Sequence, residues 1–548
     1  MTTPHRDPPM PLVDDFLTAA ARARPTREAL VCGDVRWTYA ELDERASALA
    51  ASLARRGVER GDRVLILGEN SAEVVVSFWA AQRASAVPVV VSPQTKRDKL
   101  AYLLADCRPR ALIADAALGR VFAGPAMDSP HLATALVAGR GASEALGELN
   151  GAETLARAMV EGANLPPPPK TAIDLDLATI IYTSGSTGEP KGVMHTHQSV
   201  RAAALSITRY LENDPSDVIL AALPLSFDYG LYQVIMAAAA GASVVVERSM
   251  AYPARALARV ASERITGFPG VPTVFAMMRE LAVQGFDLQS VRYVTNTAAA
   301  LAPSHVAFLR ELFPAAAIYS MYGLTECKRV SYLPPSRLED KADSVGVAIP
   351  GTELWIADES GNRLGRGEVG EIVVRGATVM RGYWEKPEAT ARRLRPGPLP
   401  GERVLHTGDL GMLDDEGLLY FVGRSDDVIK SRGEKVAPRE VELALLAIPT
   451  VREAAVVGEP DPVLGQAIVA YVALAQGAHM NAAAIRRGLR ERLESYMVPT
   501  RIVLVDELPK TSTGKVKKTD LGGGERGTSR EGGEACDETD KDRADVRG

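Results

Sequence analysis

The chain has 548 residues, 46% of them hydrophobic, and a formal net charge of -6. One hydrophobic core does not organise that length, so two or more domains are expected. The charge balance, with no strongly basic block, excludes a charge-driven nucleic-acid partner. The four cysteines, Cys32, Cys107, Cys327 and Cys536, stand apart with no C-x-x-C pair or metal-ligand spacing. That pattern fits free thiols in a reducing cytoplasm. The opening residues lack the apolar segment of a signal peptide. The apolar run Gln233–Val246 is followed by Glu247 and Arg248 and is too short to span a bilayer, so it reads as a buried helix, turn and strand. A cytoplasmic protein without a membrane span is expected.

In chain order, Tyr39–Arg56 places Leu42, Ala46, Leu49 and Leu53 at helical spacing, and Gly57 ends the helix. Asp62–Leu67 reads as a short buried strand, Ala72–Arg83 as a helix and Val87–Val91 as a second strand. This alternation predicts parallel pairing with right-handed crossovers. The stretch from about Arg140 to Asp174 is weak in pattern, and Pro166–Pro169 favour an extended connector, so it reads as a loop within a large domain. Strand-like segments resume with ATIIYT, ASVVV, VRYVT, AAIYSMYG and GEIVVRG. A smaller unit follows Arg424 and ends near Leu521. The Gly-rich, charged residues beyond it lack apolar periodicity and are expected to be disordered.

The most informative stretch follows the strand Ile180-Ile181-Tyr182. Thr183, Ser184, Gly185, Ser186, Thr187 and Gly188 lead through Glu189 and Pro190 to Lys191 and Gly192. Small residues let the backbone curl and turn several N–H groups inward, the hydroxyls add donors, and Lys191 adds charge, which together make an anion site. The run is not a G-x-x-x-x-G-K-[ST] loop. The alternative, a flexible surface linker, fits poorly with ordered strand patterns on both sides.

YTSGSTGEPKGVMHTH resembles the signature of the adenylate-forming superfamily, which spans acyl-CoA synthetases, amino-acid adenylation domains of peptide synthetases, and luciferases. Companion motifs occur in the family's order. Tyr322-Gly323-Leu324-Thr325-Glu326 resembles the motif whose Thr contacts the AMP phosphate and whose Glu helps hold Mg²⁺, a hard cation that takes oxygen ligands. Thr407-Gly408-Asp409-Leu410 resembles the ribose-binding motif, with Asp409 on the ribose hydroxyls, and Arg424 fits a ribose and phosphate contact. Asp426 falls at the hinge position, and the Ser431-Arg432-Gly433-Glu434 turn would approach the pantetheine thiol with Gly433 allowing close passage. Pro509–Lys515 resembles the motif carrying the catalytic lysine, here Lys515. Ala298, Ala299 and Ala300 fall where the adenine would lie on backbone. The resemblance covers roughly residues 12–521.

It implies an α/β multidomain fold. A large N-terminal AMP-binding domain of stacked α/β sheets (1–425) would carry a small mobile α+β C-terminal domain (426–521), followed by a disordered tail (522–548). It also implies that a small-molecule carboxylic acid is adenylated by ATP with Mg²⁺ and passed to a thiol, coenzyme A or the phosphopantetheine of a separate acyl-carrier protein. Catalysis would rest on Lys515, Thr325 and Glu326. For the acid, Leu223–Leu231 is the informative stretch: Phe227 takes the gate position, and Gly270, before a predicted helix at Pro272, is a candidate pocket residue. Asp228 falls where amino-acid adenylation domains bind an α-ammonium, but it could equally pair locally or face solvent. The SFDYGL, TNTAAA and YLPP phrases also resemble acyl-CoA ligases associated with bacterial exosortase systems. His195 and His197 have no third ligand in view, so structural roles are expected. The competing readings are an enzyme loading a carrier in trans and a non-catalytic or luciferase-like relative. The joint presence of Lys515, Glu326, Asp409 and Arg424 argues against an inactive one.

Overall fold

The computed structural model describes residues 12–145, 152–184, 189–250, 252–279, 285–297, 301, 303–424, 427–431, 434–461, 464–511 and 516–521. Thr38 caps the helix Tyr39–Arg55 through a reciprocal pair. Its Oγ1 accepts from the Glu41 amide at 3.3 Å, and its own amide donates to the Glu41 carboxylate at 2.7 Å. Leu42, Ala46, Leu49 and Leu53 face inward as their spacing predicts, and Gly57, at φ +80°, turns the chain away. Ser71 caps the helix Ala72–Arg83, which is buried along nearly its whole length. Its Arg83 guanidinium is buried but satisfied by Asp43 at 2.7 Å, Ser47 Oγ at 2.6 Å and Thr18 Oγ1 at 2.9 Å.

These helices lie between two sheets. One is parallel throughout, in the order Val87–Val91, Arg63–Leu67, Ala111–Asp115, Thr134–Ala138 and Glu153–Thr154. The other has nine strands. Its centre, Ala317–Tyr322, Tyr293–Asn296, Gly267–Gly270, Val218–Ala221, Ser243–Val246 and Glu28–Cys32, runs parallel, with short antiparallel strands at both edges. A single core draws on both sheets and on the helices between them. The run 233–246 is the expected buried helix, turn and strand: helix Asp228–Ala240, Gly241 in the left-handed region, then Ser243–Val246. Among the described residues no helix is long and apolar enough to cross a membrane.

Two antiparallel units follow. Leu177–Ser184 and Pro190–Thr196 form a hairpin, and Gly382–Tyr383 adds a third strand to it. Thr352–Ala357, Gly370–Gly376, Arg403–Leu413 and Leu394–Pro396 form a sheet, with Leu419–Arg424 paired to Arg403–Leu413. The C-terminal unit has its own sheet, built on Val451–Asp461 and Gly465–Leu474, and its own core, to which helices Pro438–Leu446 and Ala482–Arg490 contribute. The chain is thus an α/β molecule with a large N-terminal and a small C-terminal domain. The tail 522–548 lies outside the described residues.

The reading of 140–174 as a loop needs correction. Glu153–Thr154 extends the parallel sheet, and Leu155–Gly162 is a helix capped by the Thr154 hydroxyl. The helix is short and precedes four prolines, so its periodicity is hard to see, but Leu155 and Ala158 are buried against the core. It crosses the helix Tyr39–Arg55 so closely that a Cβ on Gly162 would stand 1.8 Å from the Ala48 carbonyl oxygen. Pro166–Pro169 form no regular element, as expected.

Gly162→Ala should force these helices apart and lower stability by about 1–3 kcal/mol, read as a lower urea midpoint. His197 gives a second test. Its Nδ1 accepts from the Val13 amide at 3.1 Å, and burial lowers its pKa from 6.5 to about 4. The unfolded chain therefore binds the proton first. This contribution is complete above pH 6.5 and is lost as pH falls toward 4, by about 3 kcal/mol in all. Urea midpoints for His197→Gln should fall less between pH 7 and pH 5 than those of the parent chain.

Candidate active site

The strand Gly382–Tyr383 pairs with Val193 and Met194, and its contacts to Glu326 set the hairpin of the expected phosphate loop beside the loop after Ala317–Tyr322. The Tyr383 hydroxyl donates to Glu326 at 2.8 Å, and the Met380 amide donates to the Glu326 carbonyl at 2.7 Å. Lys191 Nζ stands 5.8 Å from the centre of the same tyrosine ring. Glu326 and Lys191, named from separate motifs, thus flank one aromatic residue. Sequence reasoning missed Tyr383; its signal is the aromatic pair Tyr383-Trp384 just before a Pro-initiated helix. Thr325 is buried, and its carbonyl lies 2.8 Å from His195 Nε2. His195 therefore supports the Thr325-Glu326 loop, and with His197 on Val13 both histidines hold structural contacts.

Tyr322 and Asp409 come from different sheets and meet directly: the Tyr322 hydroxyl donates to Asp409 Oδ2 at 2.6 Å. Arg424 faces Asp409 across the antiparallel pair, with Nε 3.3 Å from Oδ1. Burial raises the Asp409 pKa above the usual carboxylate range, against the pull of Arg424. The turn before Asp409 is braced from behind, because Glu371 accepts from the Gly408 amide and from His406 Nδ1, both at 2.8 Å. Burial works against the Glu371 carboxylate, yet those two bonds keep its pKa below the usual value.

Asp228 opens the helix Asp228–Ala240 and is buried, with half-buried Phe227 just before it. The chain leading into it is pinned by Asn70, whose amide donates to the carbonyls of Leu223 and Glu247 and whose Oδ1 accepts from the Leu225 amide. Gly270 ends its strand, and the helix Pro272–Arg279 follows as expected. The surroundings of Asp228 include two cations that sequence reasoning passed over. Lys328 is buried with Nζ 5.1 Å from the Tyr232 ring centre, and the Arg329 guanidinium lies 4.4 Å from that of Tyr229. Burial pushes the Lys328 ammonium down to about 8, against the pull of Asp228. The burial of Asp228 removes the expectation that it faces solvent. The loop is folded tightly enough that a Cβ on Gly323 would stand 2.2 Å from the Lys328 carbonyl.

Thr183 pairs with Lys191 and Ser184 with Pro190 in the hairpin register. Gly185, Ser186, Thr187, Gly188, Ala298, Ala299, Ala300, Asp426, Gly433 and Lys515 lie outside the described residues. On either side of 512–515, Lys510 bridges to Val516 and the Lys517 amide donates to Pro509 at 2.7 Å. The donor set suits a magnesium-bearing polyphosphate: a carboxylate oxygen at Glu326, hydroxyls, and the Lys191 ammonium. Thr297 Oγ1, beside 298–300, is buried with no hydrogen-bond partner among the described residues, a hydroxyl left over for a polar ligand.

Comparison with known proteins agrees with this geometry. The profile of the AMP-binding enzyme family matches residues 17–384, and that of the AMP-binding enzyme C-terminal domain matches 440–515. A feruloyl-CoA synthase of Amycolatopsis sp is 34% identical over 503 residues, covering 91% of this chain and 96% of that enzyme. A linear gramicidin synthase of Brevibacillus parabrevis is 33% identical over 510 residues, which are 91% of this chain but 6% of that synthase. The crystal structure of an anthranilate CoA ligase in complex with anthranoyl-AMP matches with a TM-score of 0.84 at 27% identity, covering 93% of this chain and 96% of that one. The chain belongs to the AMP-binding enzyme family, and it is an AMP-forming acid–thiol ligase of the acyl-CoA synthetase type.

Proposed function

We propose that the Tyr383-centred junction of Glu326 and Lys191, beside the Tyr322–Asp409–Arg424 cluster, seats ATP for attack by a carboxylate, and that coenzyme A takes the acyl group. The observation that carries this reading is the assembly itself, since three distant segments bring an acid, an amine and a second acid to one place. In the first step a carboxylate oxygen bonds to the α-phosphorus as the bond to pyrophosphate breaks. Like charges approach, so the protein must supply positive charge and fixed donors. Lys515 bridges the carboxylate and the α-phosphate, with Thr325 on the same phosphate. Thr183, Ser184, Gly185, Ser186, Thr187, Gly188 and Lys191 hold the phosphates that leave. Tyr322 and Gly323 flank the adenine and Ala298–Ala300 lie under it; Asp409 takes the ribose hydroxyls, and Arg424 the ribose and phosphate. Glu326 would hold Mg²⁺, which offsets phosphate charge. No general base is required, because the acid is ionised near neutral pH.

In the second step the thiol sulfur bonds to the acyl carbonyl carbon and gives up its proton to solvent, and AMP leaves with the bonding electrons. Residues 1–425 and 426–521 act as the two moving bodies, with Asp426 as hinge and Gly433 beside the thiol channel. Phe227, Asp228 and Gly270 line the acid's pocket. A second reading, an amino-acid adenylating enzyme loading a carrier protein in trans, draws on the likeness to the peptide synthetase. The charge near Asp228 weighs against it, because a substrate ammonium there would meet the buried cation Lys328.

Lys515→Ala should abolish ATP–pyrophosphate exchange yet still convert a supplied acyl-adenylate and coenzyme A to thioester. Loss of both in a folded protein removes the two-body assignment. Asp409→Ala should lower kcat/KM for ATP by roughly 10- to 100-fold while leaving the KM of the acid within about two-fold; an equal loss for both substrates would place Asp409 elsewhere.

A further inference from the structure

Two cations and one carboxylate lie together at the start of the helix Asp228–Ala240, and all are buried: Asp228 is 3% exposed, Lys328 1% and Arg329 4%. Lys328 Nζ, Arg329 Nε and the Tyr232 hydroxyl have no hydrogen-bond partner among the described residues. The rings of Tyr229 and Tyr232 face the two cations but offer π-density, not oxygen acceptors. Among the described residues the Arg329 guanidinium makes one hydrogen bond, from Nη1 to the Lys328 carbonyl at 2.9 Å. Buried charges in a folded protein are ordinarily paired and hydrogen-bonded. Here two cations share the neighbourhood of Asp228 and still carry unspent donors.

The placement says what these donors are for. The Lys328 side chain reaches the Tyr232 ring on the helix, with Asp228 the larger and Glu326 the smaller of the carboxylates that act on it. Arg329 lies over Tyr229, whose hydroxyl meets the Thr295 carbonyl at 2.9 Å and Oγ1 at 2.6 Å, and which also touches the Gly270 backbone. Through Asp228, and through Tyr229 on Gly270, the two cations border the proposed pocket of the acid. A substrate ammonium would meet two like charges there, and a plain hydrocarbon chain would leave the donors unspent.

We infer that the acid carries a second anionic group at the end remote from its reacting carboxylate, seated against Lys328 and Arg329 beside Asp228. This rests on the ligase reading and names its substrate class. The test is ATP–pyrophosphate exchange with length-matched straight-chain acids, each supplied as the α,ω-dicarboxylate, the monocarboxylate and the ω-amino acid. The parent chain should exchange the dicarboxylates with kcat/KM about ten-fold or more above the matched monocarboxylates, and the ω-amino acids least. Arg329→Met and Lys328→Met should each bring that ratio toward one while KM for ATP stays within about two-fold. Monocarboxylates exchanged as well as dicarboxylates by the parent chain would overturn the inference and leave the ligase standing. Exchange with none of these but with aryl monocarboxylates would also overturn the inference, whereas exchange with no acid, straight-chain or aryl, would overturn the ligase reading itself, so the two failures are told apart without any variant.

Discussion

Two residues of backbone pairing hold the nucleotide end together. A two-stranded hairpin is marginal alone, and the phosphate-loop hairpin gains its third strand from Gly382–Tyr383, far along the chain. Trp384 continues the clamp. Its amide donates to the Gly192 carbonyl at 2.7 Å, and its indole donates to the Asp106 carbonyl at 3.0 Å. The Tyr182 hydroxyl reaches the Asp106 carboxylate at 2.5 Å. The hairpin, the helix Arg97–Cys107 and the segment after Met380 thus meet within a few side chains. Glu326 and Lys191 have a fixed separation only because that meeting occurs.

Charge is handled differently at the two ends of the site. At the nucleotide end each carboxylate has a tyrosine hydroxyl on it, Tyr383 on Glu326 and Tyr322 on Asp409. A neutral donor orients an acid without cancelling its charge, and Asp409 has the Arg424 guanidinium beside it as well. At the other end tyrosine rings, not hydroxyls, face the charges, and those charges are cationic. Preorganised dipoles serve in the first case and desolvated charge in the second.

The early elements were legible because their signals are local. Thr38 with Glu41 and Ser71 with Val74 are caps spelled out within four residues, and Val87–Val91 is a buried strand written as one apolar run. The motif residues Glu326, Asp409 and Lys191 were legible by resemblance, and the structure brings them into one neighbourhood. Leu155–Gly162 was not legible, because two turns of helix before a proline run carry too little period, and its stability comes from the crossing with Tyr39–Arg55. Tyr383 was missed since its meaning lies in a contact with a residue 57 positions away. Lys328 and Arg329 were missed for another reason: adjacent basic residues ordinarily face water. Here a lysine at φ +66° turns both inward.

The Asn70 carboxamide binds Leu223 and Glu247 through its nitrogen and Leu225 through its oxygen. One side chain at the end of the parallel sheet therefore rivets the wall that leads to Phe227 and Asp228. Such a wall resists reshaping by loop insertion, since lengthening 223–225 would tear two of these bonds at once. Divergence of this chain toward new acids is channelled into side-chain exchange on a stiff frame, and its selectivity should resemble that of a mould more than that of a glove.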